Sequence, residues 1–348
     1  MTVREAVPFS SLTTLRVGGP ARYVMEIEDV ATIPEALAFA RERSLPFMVL
    51  GGGSNVLAPD AGYEGIVLRM RIPGITFTKL DEDTVEVVAG AGASWDELVS
   101  EAVAQNLWGI ENLAGIPGTV GAAPVQNIGA YGVEFESTLS EVTVYDACAG
   151  ERTTIAHDTC GFSYRESRFK HEPHLIITNV SLRLKKRGAP QLRYSDLAGL
   201  TETEESLETP SRIASAIRSI RARKFPDLAT HGTAGSFFKN PVIAEGAYRE
   251  LTERFADIIA EHGAIPRYPM QRVGDVKIPL AYILDKVLGL RGYGNGHARL
   301  FENQPLVLVA DRDAHASDVD ALANDVAQKV FDATGITIER EVRSIPIE

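Results

Sequence analysis

Short apolar runs alternate with segments of helical spacing along most of the chain. Runs rich in β-branched residues and bounded by turn formers read as strands; apolar positions recurring once per helical turn read as helices. On that basis the first half holds strands over 21–28, 46–50, 65–70 and 84–88 and helices over 33–43 and 95–104. A glycine-rich stretch follows, then strands over 141–145 and 175–184. The second half reads as helix 211–223, strand 236–239, helices 248–261 and 279–288, strand 305–309, helix 317–333 and strand 336–342. This alternation predicts an α+β or α/β fold rather than a helical bundle or a β-sandwich. No repeat of fixed period is present. The best linker is 201–210, polar and acidic through Glu202, Glu204, Glu205 and Glu208, which reads as a solvated loop leading into the next helix.

At about 150 residues per domain, 348 residues suggest two or three domains. A net charge of −12 argues against a broad basic face for nucleic acid or anionic membrane, while leaving room for a local basic pocket. Cys148 and Cys160 are too few for a disulfide scaffold and point to a reducing compartment. The first residues have no apolar core of the kind a signal peptide needs. Residues 112–133 lack Asp, Glu, Lys and Arg, yet their glycines and prolines do not suit a spanning helix. A cytoplasmic protein with no membrane or nucleic-acid partner is expected.

Two glycine segments carry the first chemistry. Gly51-Gly52-Gly53-Ser54-Asn55 follows a strand, and its uncovered N–H groups can bond a pyrophosphate. The dinucleotide pattern G-x-G-x-x-G running into a helix is not met, because Val56, Pro59 and Asp60 follow. A tight structural turn explains this loop equally well. Residues 115–132 are dense in small residues and amides and carry no charge. Irregular backbone of this kind, once buried, must satisfy its N–H groups, and a flat ligand rich in acceptors such as a flavin would do so. The plainer alternative is an ordered loop packed on the sheet.

Three further segments carry reactive side chains. Gly235-Ser236-Phe237-Phe238-Lys239-Asn240-Pro241 sets a hydroxyl beside aromatics and a cation, but matches no hydrolase elbow. Tyr164-Arg165-Glu166-Ser167-Arg168 concentrates guanidinium groups that suit carboxylate or phosphate. Over 336–343 a strand alternation puts Thr337, Glu339, Glu341 and Arg343 on one face. Taken singly these are a strand-edge hydroxyl, a surface ion pair and a solvated face. His157, His171, His174, His231, His262, His297 and His315 show no zinc-ligand spacing, so no metal is expected. None lies in a glycine segment, which disfavours a covalent histidyl–flavin link.

In combination these blocks resemble the UDP-N-acetylenolpyruvoylglucosamine reductase family, flavoenzymes of bacterial peptidoglycan precursor synthesis. The resemblance runs from Thr13-Thr14-Leu15-Arg16-Val17-Gly18-Gly19 to Glu341-Val342-Arg343, and is most specific over 116–132 and 235–241. It implies an α+β fold: a two-lobed FAD-binding domain of the vanillyl-alcohol-oxidase type (1–70, and 71–224 with a Tyr194 loop) plus a C-terminal α/β substrate-binding domain (225–348), its last strand carrying Glu341. Carried over by motif, Gly51, Gly52, Gly53, Ser54 and Asn55 would hold the pyrophosphate of a non-covalent FAD. Gly115, Ile116, Pro117, Gly118, Thr119, Gly121, Ala122, Gln126, Asn127, Gly129, Ala130 and Tyr131 would line the rest.

The implied reaction is NADPH-dependent reduction of UDP-N-acetylglucosamine enolpyruvate to UDP-N-acetylmuramate, with hydride passing from the flavin to C3. Ser236 would protonate C2, while Arg165 and Glu341 stabilise the enolate. Tyr164 would shape the pocket, Tyr194 cover the substrate, and Lys224 and Asn240 contact the diphosphate and substrate. The basic run Arg218, Arg221, Arg223 and Lys224 would anchor a diphosphate. Many members carry Pro before the catalytic Glu, where Arg340 stands here. A monomer is expected. The alternatives are another FAD-dependent oxidase on the same cofactor fold, and a non-catalytic UDP-sugar-binding module.

Overall fold

The computed structural model describes residues 2–192, 197, 207–270 and 272–346. Three sheets organise the chain. The first orders its strands Val3–Pro8, Pro20–Ile27, Tyr63–Met70, Phe47–Leu50. Its first pair is antiparallel and the other two are parallel. The second is wholly antiparallel: Glu151–Ala156, Leu139–Asp146, Leu175–Lys185, Thr84–Gly90, Ile75–Lys79. The third joins Gly232–Ser236, Gln304–Ala310 and Ala298–Phe301.

Local sequence explains the clearest helices. Trp95–Ala104 buries Trp95, Leu98, Val99, Ala102 and Val103, a stripe of one helical face, and Ser94 Oγ caps it by accepting from Glu97 N–H at 3.3 Å. Each such aliphatic side chain taken from water contributes roughly 1.5–3 kcal/mol. Pro210–Lys224 starts with Thr209 as its cap and Pro210 in its first turn, and buries Ile213, Ala214, Ile217 and Ile220. One large core underlies the first two sheets and this helix. A second core lies under the third sheet and the Ala316–Thr334 helix, and takes in Leu15, Val17 and Leu57 from the N-terminal part.

Several expected elements change. The helix expected over 248–261 is two helices, Glu245–Arg254 and Ala256–His262, broken at Phe255. The expected 279–288 helix is a short α-turn, Leu280–Tyr282, running into a π-helical turn, Ile283–Val287. The strand near Ser236 is Gly232–Ser236 rather than 236–239. The expected 336–342 strand is not continuous. After Gly335 the segment bridges Phe238 through Arg340, then pairs in parallel with Val56–Leu57 as Arg343–Ser344. It changes partner near Glu341, so no single ladder holds it. That change of partner brings the C-terminal segment beside the glycine loop.

Candidate active site

The turn after Phe47–Leu50 is built of residues that tolerate no side chain. A Cβ on Gly53, whose φ is +66°, would lie 2.3 Å from Leu12 O. One on Gly52 would lie 2.9 Å from Gly118 Cα. The two glycine segments therefore meet backbone to backbone, and no helix follows the first, since Val56–Leu57 is a short strand.

Gly115 is held at both of its main-chain polar groups. Its N–H donates to Asp96 Oδ1 at 2.6 Å, and its carbonyl accepts from Arg221 Nε at 2.9 Å. Asp96 in turn pairs with Arg218 at 2.8 Å. Burial lowers the Arg221 pKa, against the opposing influence of the Tyr131 phenol. Arg218 and Arg221, expected as a diphosphate anchor, thus bolt the Pro210–Lys224 helix to the glycine segment, and both still border the cavity.

That cavity has a volume of about 640 Å³, within the usual range for ligand sites. Gly51–Asn55, Gly115–Thr119, Ala122, Gln126, Gly129 and Ala130 line it, together with Arg165, Ser236 and Glu341. Gly121, Asn127 and Tyr131 do not. Gly121 packs on Ala91, where a Cβ would come within 2.6 Å of Ala91 Cβ. Asn127 is buried, donates to Glu134, Glu136 and Ser163 O, and accepts from Glu136 N–H, so its amide serves the protein. Tyr131 is buried beside Arg221. Lys224 ends its helix and Asn240 accepts from Leu280 N–H through Oδ1; neither borders the cavity. Tyr194 lies outside the described residues.

Arg165, Ser236 and Glu341 converge from distant parts of the chain. Ser236 ends its strand, and the next carbonyl, Phe237 O, accepts from Glu341 N–H at 2.8 Å. Arg165 stands at φ +56°, a costly conformation for a residue with a Cβ. Its Nη2 donates to Gly129 O at 3.0 Å, and its Nε lies 2.8 Å from Glu341 Oε1. The two form a buried ion pair. Burial works against the Arg165 charge, but Glu341 and Tyr164 outweigh it and hold the guanidinium pKa above its usual value.

Behind Arg165 stands a polar layer that single segments did not signal. Burial, then the neighbouring Glu136, raises the Glu134 pKa, while Lys277 and Arg165 pull against it. Burial lowers that of Lys277, whose Nζ sits 4.4 Å from the centre of the Tyr164 ring. The Tyr164 hydroxyl accepts from Asn240 N–H at 3.2 Å, and burial raises its pKa. Lys277 stands in a short strand between apolar Val276 and Ile278, and no motif marks it. The expectation of one face for Glu339, Glu341 and Arg343 holds in part. Glu341 and Arg343 both border the cavity, Arg343 also donating to Lys170 O, whereas Glu339 pairs with Lys239 at the surface.

The lining fits a large cofactor with many acceptors. Among the described residues Thr119 Oγ1 is buried without a hydrogen-bond partner, just where a Cβ on Gly51 would come within 2.5 Å of it. An orphaned hydroxyl in the cavity lining is what a tightly held ligand would complete. Away from the cavity, Asp146, Cys148 and His174 converge within 4.8 Å. There Asp146 Oδ1 accepts from Cys148 and Ala149 N–H groups and closes a turn, which accounts for the convergence.

Residues 21–156 match the model of an FAD binding domain, and residues 227–345 match that of the UDP-N-acetylenolpyruvoylglucosamine reductase C-terminal domain. The fold and site therefore define an FAD-dependent oxidoreductase with a two-lobed cofactor domain and a distinct C-terminal domain. The UDP-N-acetylenolpyruvoylglucosamine reductase of Chromobacterium violaceum is 38% identical over 346 residues, covering 97% of each chain. That of Streptomyces coelicolor is 36% identical over 96% of this chain and 88% of its own. The crystal structure of the Thermus caldophilus enzyme superposes with a TM-score of 0.65 at 26% identity, over 99% of this chain and 100% of that one. This chain belongs to the UDP-N-acetylenolpyruvoylglucosamine reductase family. Among the described residues no helix is long and apolar enough to cross a membrane.

Proposed function

We propose that the protein reduces UDP-N-acetylglucosamine enolpyruvate to UDP-N-acetylmuramate, using NADPH and a non-covalently bound FAD, in the cytoplasm. Bound FAD would supply the two-electron relay from the nicotinamide to C3 of the enolpyruvyl group. The observation that carries the reading is that Arg165, Ser236 and Glu341 share one cavity with both glycine segments.

Gly51–Asn55 would present main-chain N–H groups to the pyrophosphate, the Ser54 and Asn55 side-chain donors being spent on Pro117 O, Gln126 and Glu341 O. Gly115–Thr119, Ala122, Gln126, Gly129 and Ala130 would line the remaining cofactor surface. As negative charge builds on the substrate carboxyl, the Arg165 guanidinium and Glu341 would stabilise the enolate. The buried Arg165–Glu341 pair at 2.8 Å, with the guanidinium held in its charged form, supports that role. Ser236 would hand its proton to C2. A serine hydroxyl has little acidity near neutral pH, so the charged pair beside it and a closed, dry site would have to assist. Tyr164, packed beside Arg165, would shape the substrate pocket, while Lys224 and Asn240 stand off the cavity and are given no substrate contact. The domain bounds that accompany this reading are 1–70, 71–224 and 225–348, and each of the three sheets falls within one of them.

The test is an absorption spectrum of the purified protein, followed anaerobically by NADPH and then by the enolpyruvyl substrate. Flavin bands bleached by NADPH and restored by substrate are expected. Bands restored by air alone would replace the reading with an oxidase, and no flavin after added FAD would overturn it.

A further inference from the structure

Arg340 immediately precedes Glu341, and its side chain runs the other way. Along extended backbone successive side chains point to opposite sides. Glu341 faces the cavity, while the Arg340 guanidinium reaches the Ala316–Thr334 helix. There Nη1 donates to Asp320 Oδ1 at 2.6 Å and Nη2 to Asn324 Oδ1 at 2.8 Å. Asp320 and Asn324 stand one helical turn apart and are themselves joined, Asn324 Nδ2 donating to Asp320 Oδ2 at 3.1 Å. The same guanidinium lies 5.7 Å from the centre of the Phe237 ring, next to Ser236. A rigid planar fork suits this set of acceptors better than a flexible ammonium would.

The backbone here needs such a hold. The bridge between Arg340 and Phe238 is closed by Lys239 N–H to Glu339 O at 2.9 Å and Glu341 N–H to Phe237 O at 2.8 Å. Beyond it the segment leaves for Val56–Leu57. So short a ladder fixes position weakly by itself, whereas the helix packs into the second core along its whole length.

We propose that Arg340 is a positioning residue: by clamping residues 339–342 to Asp320 and Asn324, it holds the Glu341 carboxylate in register with Arg165 and Ser236. The proposal rests on the role given to Glu341 above. Arg340 itself does not border the cavity.

The experiment uses the full-length FAD-loaded protein as wild type, Arg340→Ala, Asp320→Ala and the double variant. Anaerobic stopped-flow separates flavin reduction by NADPH from reoxidation by the enolpyruvyl UDP-sugar. Amide hydrogen exchange over 337–343 follows the segment without reference to activity. Reoxidation should slow by about tenfold or more in each single variant, since displacements near 1 Å cost up to about 10²-fold. The double variant should be no slower than the worse single one, because both break one clamp. Flavin reduction should be unchanged, and the Glu341 and Val342 amides should exchange faster.

Unchanged reoxidation and exchange in Arg340→Ala would overturn the proposal. So would a double variant whose loss equals the product of the single losses. Equal slowing of both half-reactions with a lowered melting temperature would assign Arg340 a general packing role instead. If the wild-type protein is not reoxidised by the substrate, the proposed reaction falls, and exchange at Glu341 alone decides the clamp.

Discussion

Asn55 Nδ2 donates to the main-chain carbonyl of Glu341 at 3.1 Å, tying the glycine loop to the segment that bears the cavity's carboxylate. The same amide donates to Gln126 Oε1 at 2.7 Å, so one NH₂ group joins three distant stretches of chain. Arg343 N–H returns the contact by donating to Asn55 O at 3.1 Å. The cofactor loop and the C-terminal segment are thus one mechanical unit.

Asn55→Ala should therefore loosen cofactor binding although the loop glycines are untouched. Two partly buried acceptors would lose their donor, at roughly 1–3 kcal/mol each, enough to weaken FAD binding about tenfold or more. Asn55→Asp should be worse, since it turns a carboxylate toward two oxygens. Titration of apoprotein with FAD, followed by flavin fluorescence, checks the order. Wild-type affinity in Asn55→Ala would show that the amide does not hold the loop.

Thr119→Val separates cofactor contact from folding. The Thr119 hydroxyl is buried and finds no partner among the described residues, so an isosteric methyl should leave the melting temperature unchanged or raise it. If the hydroxyl donates to bound FAD, affinity should drop by roughly fivefold, near 1 kcal/mol. A variant that melts lower yet binds FAD normally would contradict the assignment.

Glu111 gives a pH signature independent of the reaction. It is 3% exposed and accepts from Gly109 N–H at 2.6 Å. Burial raises its pKa, and the backbone N–H groups nearby only partly oppose this. With the folded pKa above the ordinary glutamate value of 4.5, the folded state binds the proton more tightly than the unfolded one. Stability from this group is thus complete below 4.5 and is lost as pH rises through the folded value. Glu111→Gln keeps an acceptor and removes the titration. Its melting temperature should gain on wild type as pH climbs above 4.5, with no gain below it. Parallel curves for the two proteins would refute the shift.

Legibility from sequence followed the range of the interactions. The 95–104 helix was readable to its ends because its apolar spacing is local. The uncharged glycine segments were readable as places of close backbone approach for the same reason: a run of residues without side chains announces it. Gln126 and Asn127 are adjacent amides, however, and only the turn to φ +44° at Asn127 sends one to the cavity and the other inward. The 336–342 segment misled because its alternation resembles a strand while its partners, Phe237, Asn55 and the Ala316–Thr334 helix, are remote. Lys277 carries no local mark at all; it matters through Tyr164 and Glu134.

Ser236→Ala addresses the proton itself. The substitution removes one oxygen from the end of a strand whose backbone is fixed by Phe237 N–H to Leu306 O at 2.8 Å and by the Glu341 bond to Phe237 O. Packing should therefore survive, and with it the cofactor site and flavin reduction by NADPH. Protonation at C2 is different, because a missing general acid commonly lowers a step by about 10²–10⁴-fold. Reoxidation of the reduced flavin by the enolpyruvyl substrate should fall by that order, while reoxidation by oxygen continues. The split matters more than the size of the loss. Equal damage to both half-reactions would mean that the serine supports cofactor or fold. A full second half-reaction in the variant would transfer the proton to another donor, and Glu341, already beside Arg165, would be the group to replace next.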